Sequence, residues 1–402
     1  MNSKWQSKIV RIVPTYRDEK GIILIVVLAL IAILSLVGTT AVITTTTDIK
    51  ISSNYKTGVQ AFYAAEAGVE RAKNVLKAST NGFNDELLGN DGIQETSDDG
   101  ILSFGGSSSF GNGSYAVRIT DNDDGDGDLF YDSDNIVVIT GTGAIKNASH
   151  TIEVMFKKIQ IPIDVDGALS IYGNDPEIEI NGNACKIHGD DYNVPVDFDC
   201  TGSGCDGSPS GGTATAGIYF SSTPDPGDIS DVKTTGPHQN TFGSPPTKVA
   251  GGIYSSQYWQ NKANELIPLA DVTLSGGTIS GNQTLGTRSN PQITVVTGNV
   301  HFTGSVDGAG ILIVQDEVEF GGNLHFEGII IVLSDENNGE VELDLGSGGT
   351  PRLFGAVVLA GNEESEVELR GNVRILYSNE ALTNANNINS LSKVVSWKEI
   401  TH

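Results

Sequence analysis

Between Asp121 and Asp134 the sequence reads Asp121-Asn122-Asp123-Asp124-Gly125-Asp126-Gly127-Asp128-Leu129-Phe130-Tyr131-Asp132-Ser133-Asp134. Carboxylates this dense repel one another unless a hard cation gathers them. Alternating oxygen-bearing side chains with a glycine at the sharp turn is how calcium loops are built. An EF-hand-like alignment places Asn122, Asp124 and Asp126 at the first three ligand positions and Gly127 at the turn, with Asp128, Asp132 and Asp134 as further donors. The closing bidentate glutamate is missing, and Ser133 stands in its place. Two readings stay open: a calcium site, or an acidic loop left to water.

Three cysteines, Cys185, Cys200 and Cys205, share one loop-like stretch. If the body lies outside the cytoplasm, Cys200 to Cys205 is the easiest disulfide to close, leaving Cys185 over; other pairings, or three small buried side chains, are the alternatives. His301 and His325 hold the same place in a repeat and could stack in adjacent coils, as a metal pair or, more simply, as a surface ladder. Asp190-Asp191 after His188-Gly189 is similar to the acidic clusters of β-helix polysaccharide enzymes, yet few lysines or arginines accompany it. No nucleophile elbow, phosphate loop or zinc spacing is present, so no enzymatic activity is expected.

The balance of the chain narrows the partners. Its 402 residues carry 50 acidic and 24 basic side chains, a net charge of -26, and the bases cluster near the N-terminus. Phosphate binding needs a basic stripe, so no nucleic-acid partner is expected; calcium and protein surfaces fit better. Forty-nine glycines with 7% aromatic and 18% charged residues favour many short strands over helices.

The element that must carry this body is N-terminal. Lys4, Lys8, Arg11, Arg17 and Lys20 precede an almost wholly apolar run, Ile22 to Val37, and no charge follows until Asp48. That is long enough to cross a bilayer as a helix, and the flanking bases place the N-terminus in the cytoplasm. Apolar character fades without an Ala-x-Ala exit, so the segment is expected to be retained. Beyond it, Tyr55, Val59, Phe62, Ala65, Val69, Ala72 and Leu76 recur at spacings of three and four, one stripe of a helix that continues to about Ala78. At 1.5 Å per residue the whole helix measures roughly 85 Å.

Arg17-Asp18-Glu19-Lys20-Gly21, standing at the edge of the apolar run, resembles the class III leader of type IV pilins and type II secretion pseudopilins. The resemblance implies cleavage by prepilin peptidase after Gly21, with Ile22 as the new, methylated N-terminus. Ala64-Ala65-Glu66-Ala67-Gly68, preceded by aromatics, looks like the end of the PilX N-terminal family of minor pilins. Membership would imply major and minor pilins, the inner-membrane pilus assembly machinery and a tip adhesin as partners. It would place the chain in a bacterial inner membrane as a single-pass protein before assembly, and in the periplasm or an extracellular filament afterwards. Most major pilins carry glutamate five residues into the mature chain, where a buried carboxylate meets a neighbour's terminal amine; here the position is Val26. A minor, tip-proximal or initiating subunit is implied.

The expected fold is mostly β with one long N-terminal α-helix: a pilin-like helix plus antiparallel sheet, followed by a β-helix-like solenoid. The leader takes residues 1–21, the transmembrane and amphipathic stalk 22–79, and the sheet head with its acidic loop 80–160. Head strands are predicted at Ser114 to Thr120, Ile136 to Thr140 and Thr151 to Phe156. From 161 to 380, a recurring Gly-Asn punctuates short apolar runs. Gly298-Asn299-Val300-His301-Phe302 and Gly322-Asn323-Leu324-His325-Phe326 lie about 24 residues apart, with Gly371-Asn372 and Gly182-Asn183 as further copies. A period in the low twenties with glycine corners marks a solenoid whose buried walls would be Ile311 to Val314, Ile329 to Leu333 and Ala356 to Leu359. An irregular insertion at about 191–270 holds one helical candidate, Ser255 to Leu269, and 381–402 is a tail or closing strand. The rival to a filament subunit is a membrane-anchored surface adhesin or carbohydrate-binding β-helix protein.

Overall fold

A computed structural model describes residues 20–400 apart from residues 80–81, 123, 126, 183, 199–204, 335–338, 347–348 and 389–390. Helix α1 (Lys20–Lys77) runs unbroken for 58 residues, about 87 Å, because no proline interrupts it and its glycines are isolated. After the short α2 (Asn84–Leu87) come four antiparallel strands, β1 (Ser107–Phe110), β2 (Gly113–Asp121), β3 (Ile136–Ile145) and β4 (Ala148–Lys158), paired in chain order. Every second residue of β3 is buried, the signature of a sheet covered on one face only. The cover is the C-terminal part of α1: Ala65, Val69, Ala72 and Leu76 share one core with Val117, Ile119, Val137, Ile139, Ile152, Val154 and Phe156.

The second body is one curled, solenoid-like sheet of parallel strands. It begins with β5 (Gly167–Tyr172), β6 (Asp175–Asn181) and β7 (Lys186–His188). A small antiparallel pair follows, β8 (Tyr192–Asn193) with β9 (Ser208–Pro209), and then β10 (Ala216–Phe220), β11 (Thr241–Phe242) and β12 (Thr247–Val249). Helix α3 (Ser256–Leu266) starts where the Ser255 hydroxyl accepts from the Tyr258 amide. The long coils come next: β13 (Val272–Ile279), β14 (Gln283–Leu285), β15 (Gln292–Phe302), β16 (Val306–Gln315), β17 (Val318–Phe320), β18 (Leu324–Leu333) and β19 (Val341–Leu345). The chain ends with β20 (Arg352–Ala360), β21 (Glu364–Arg370), β22 (Arg374–Tyr377), α4 (Asn379–Ala385) and β23 (Ser392–Ile400).

The three apolar runs read as buried walls do stack. Ile311 pairs with Ile329 and Ile329 with Ala356, and all ten residues of β18 are buried. Coil length varies more than the Gly-Asn spacing suggests: Val306 pairs with Leu324, eighteen residues on, while His325 pairs with Arg352, twenty-seven on. What marks the corners is a different glycine ladder, Gly310, Gly328 and Gly355, in register and each at φ between +123° and +139°. A Cβ on Gly355 would sit 1.8 Å from the Gly328 carbonyl oxygen. Only glycine supplies both that backbone conformation and that closeness.

The order of coils was not foreseen. The first solenoid strand, β5, lies between the late β20 and β10, and β22 lies between β20 and β7. The chain therefore enters the stack in its interior, builds outward through β10 and β12, crosses by α3 to the far end at β13, and winds back. The segment 191–270 is accordingly no single interruption, since β10, β11 and β12 add coils within it. Entry and exit meet at Asn386, whose buried amide accepts from the Ile161 N–H at 2.8 Å and donates to its carbonyl at 2.9 Å. The chain then leaves as β23, which pairs with β4 and makes the head sheet five-stranded. The solenoid is thus an insertion between the last two strands of the head.

Candidate functional site: the stalk helix and its seat in the head

The two halves of α1 meet opposite environments. From Ile22 to Ile51 the large apolar side chains are exposed, Ile22 by 63% and Leu36 by 70%. A stretch of this half reaches a mean hydropathy of 3.1 with nothing buried, long and apolar enough to cross a membrane. Val26, at the position where a major pilin carries its acid, is also exposed. The hydroxyls of Thr39, Thr40, Thr44, Thr45, Thr46 and Thr47 each donate to the carbonyl four residues back at 2.7–2.9 Å. A hydroxyl without a partner is costly in hydrocarbon; these are satisfied within the helix and ask nothing of their surroundings. The Gly21–Ile22 bond lies in the first turn of α1, and Arg17, Asp18 and Glu19 lie outside the described residues.

Farther along, the predicted stripe divides. Ala65, Val69, Ala72 and Leu76 are buried, but Tyr55 is 75% exposed. The reason is where the sheet begins. Gly141 and Gly143 of β3 let the backbones touch, and a Cβ on Gly143 would stand 2.0 Å from the Ala61 carbonyl oxygen. Below Ala61 the cover thins: Thr57, Gly58 and Val59 are half-buried, with His150 of β4 3.5 Å from a Cβ placed on Gly58, and residues 22–56 are exposed. Glycine alternating within a strand signals close backbone approach, a cue the sequence offered at Gly141-Thr142-Gly143.

The last turn of α1 is fixed by a lysine that sequence reasoning missed. Lys158, 2% exposed, donates from Nζ to the Lys77 carbonyl at 2.7 Å and also to the Ser79 carbonyl. The ammonium answers carbonyls that a helix end leaves unpaired and complements the negative end of its dipole. Burial brings its pKa down to about 8, against the opposing pull of Glu86.

The acidic loop does join β2 to β3. Asn122 donates to Asp134 at 3.3 Å, Ser133 donates to Asp124, and Asp128 accepts the Phe130 amide at 2.9 Å. Asp132 turns inward: it is buried, accepts the Phe83 and Ile136 amides at 3.2 Å each, and ties the segment after α1 to the hairpin, while burial pushes its carboxyl up. Asp126 and Asp123 lie outside the described residues. Among the described residues no three acidic, histidine or cysteine side chains are placed to hold a metal ion. Cys185 is buried and free, its thiol pushed up to about 12 by burial, whereas Cys205 is disulfide-bonded. Cys200 lies outside the described residues.

The expected stacking of His301 on His325 is incorrect. His301 pairs with Glu319 on the ladder of β15 and β17, and His325 with Asp307 and Arg352 on another ladder, because more than one coil separates the two Gly-Asn copies. Instead His325 lies 3.1 Å from Glu327, which Arg288 grips at 2.5 and 2.8 Å. Asp191 accepts the Asn379 amide at 2.8 Å and so anchors the start of α4. The ladder of β6, β21, β19 and β17 aligns acids in rows: Glu177 with Glu366 and Glu342, and Glu179 with Glu368, Asp344 and Glu319. Arg370 reaches Asp344 at 2.8 Å and touches Glu368. Glu342 has its pKa pushed up to about 7, first by burial and then by Glu317, Glu366, Asp344 and Glu319.

Comparison with known proteins agrees with the stalk. The PilX N-terminal family matches residues 20–70. Among solved structures, the competence-associated pilin ComZ from Thermus thermophilus aligns over 86% of this chain and 97% of its own, at 14% identity and a TM-score of 0.25. A search of curated proteins returned no match. A long helix with one half bare and the other seated in an antiparallel sheet, matched over residues 20–70 by the PilX N-terminal family, is what this chain shares with type IV pilins.

Proposed function

We propose that this chain is a minor, non-repeating subunit that initiates, caps or decorates a type IV pilus-like filament and displays an acidic, β-rich head. The observation that carries the reading is the division of α1. Its first half leaves every large apolar side chain bare, while its second half is keyed into the head by Gly141, Gly143 and Lys158. Such a half-helix needs hydrocarbon or other apolar helices around it. The subunit waits in the inner membrane with its N-terminus in the cytoplasm, is cut by prepilin peptidase after Gly21, and carries a methylated Ile22. It then joins other pilins through the assembly machinery, with a tip adhesin as a further partner. Val26 in place of an acid supports a single or terminal position over a repeating one.

Mass spectrometry of the mature chain tests this directly. An N-terminus at Ile22, shifted by one methyl group, is expected; an intact Met1 in cells that process other pilins would overturn it. Calcium at the acidic loop is a separate proposal, resting on the oxygen donors of Asn122, Asp124, Asp126, Asp128 and Asp134. A chelator should then lower the melting temperature of the head, and an unchanged melt rules the ion out.

A further inference from the structure

Strand β23 is held unlike its neighbours. None of its nine residues is buried, and none belongs to the core beneath the head sheet, whereas β3 and β4 contribute Val137, Ile139, Ile152, Val154 and Phe156 to it. Val394, Val395 and Trp397 stay 42–51% exposed. The ladder to β4 slips by one residue between Val394 and Ser396, and the outer edge of β23 pairs with no other strand of the described chain. Its side-chain ties include Trp397 edge-on to Phe62 at 6.1 Å and two partly exposed pairs, Lys398 with Glu153 at 2.9 Å and His150 with Glu399 at 2.7 Å. Ion pairs with this much solvent access hold strands together only weakly. Just before the strand the situation reverses: Ile388 and Leu391 are buried in the solenoid core, and the Leu391 carbonyl accepts the Ile159 amide at 2.8 Å. Burial in the core therefore ends at Leu391 and is not resumed along β23.

We propose that β23 is a releasable clasp. It unpairs from β4 in a local opening that leaves α1, β1 to β4 and the solenoid folded, since the joint at Asn386 and Leu391 lies on the solenoid side of the break. Opening uncovers the β4 edge from Thr151 to Lys158 and the flank of Phe62. Locally opening units of this kind combine few buried apolar contacts with solvent-exposed backbone hydrogen bonds.

Hydrogen exchange of the full chain in detergent micelles tests it. The β23 amides that pair with β4 should exchange about 100-fold or more faster than those of β3, at a rate insensitive to sub-denaturing guanidinium. Protection equal to β3, or a rate that climbs with denaturant as the global unfolding does, overturns the clasp. The register partners Glu153 and Lys398 allow a second test. In the Glu153→Cys, Lys398→Cys double variant, oxidation should slow β23 to the β3 rate and reduction should restore fast exchange. Fast exchange that persists in the oxidised, crosslinked form counts against the proposal just as firmly.

Discussion

Head and solenoid are both built of β-strands, yet they solve burial differently. In β3 every second side chain is buried, because α1 covers one face and water the other; in β18 all ten are buried, because the sheet curls around one core and α3 and α4 pack against it. The price of the second solution is electrostatic. Parallel stacking repeats one outward position from coil to coil, so Glu177, Glu366 and Glu342 are forced into a row. In the head a lysine is buried as well, to finish a helix. The lesson is that the two bodies should respond to mutation separately, and that Lys158 and Glu342 should move stability with pH in opposite senses.

The largest effects should come from the glycines that set each backbone contact. Gly143→Val drives a side chain into Ala61, and Gly355→Val drives one into Gly328 at a positive φ. Each should cost about 3 kcal/mol or more. Peptide-resolved hydrogen exchange should show the first loosening α1 and β2 to β4 while β16 to β20 stay protected, and the second doing the reverse. Loss of both bodies in either variant would break the comparison and make them one cooperative unit.

Lys158 should give the next effect. Its folded pKa, about 8, lies below the ordinary 10.5, so between these values the unfolded chain binds more protons. Head stability should therefore rise as pH climbs through that window, with this contribution constant below it. Lys158→Met should abolish the rise and, by leaving the Lys77 carbonyl without its ammonium and the Ser79 carbonyl with only the Gln160 amide, destabilise the head by about 1 kcal/mol at pH 7. A pH slope unchanged in the variant would assign the titration elsewhere.

Glu342 should give the smallest. Its folded pKa of about 7 stands above the ordinary 4.5, so here the folded state binds more protons, and solenoid stability should fall as pH rises from 4.5 to 7. Glu342→Gln should flatten that fall and raise the solenoid's melting temperature at pH 7.5 by about a degree or two, leaving the head unmoved. A lower melting temperature would mean that the row is held by something other than repulsion.

Much of this could be read from residues alone where the physics is local. An unbroken apolar run, a stripe at helical spacing and the β-branched run Ile136 to Thr140 each specify an element through local side-chain pattern, and the helix and head strands lie where those patterns place them. The Arg17-to-Gly21 segment and Val26 are likewise matters of sequence position. The buried wall runs were legible because a parallel sheet covered on both faces reads as continuous apolar sequence.

What only the tertiary structure decided depends on which distant segments meet. Coils of unequal length hid the register, so His301 and His325 matched in sequence yet lie on different ladders. That β5 would slot beside β20, and that residues 392–400 would return to β4, follows from pairings between segments far apart in the chain, which no local pattern encodes. The same holds for Lys158, an ordinary strand residue by sequence, whose task is set by a helix end more than eighty residues earlier. Asp132, legible as a calcium ligand, became a backbone anchor for the same reason: its partners, the Phe83 and Ile136 amides, are brought to it only when the head closes.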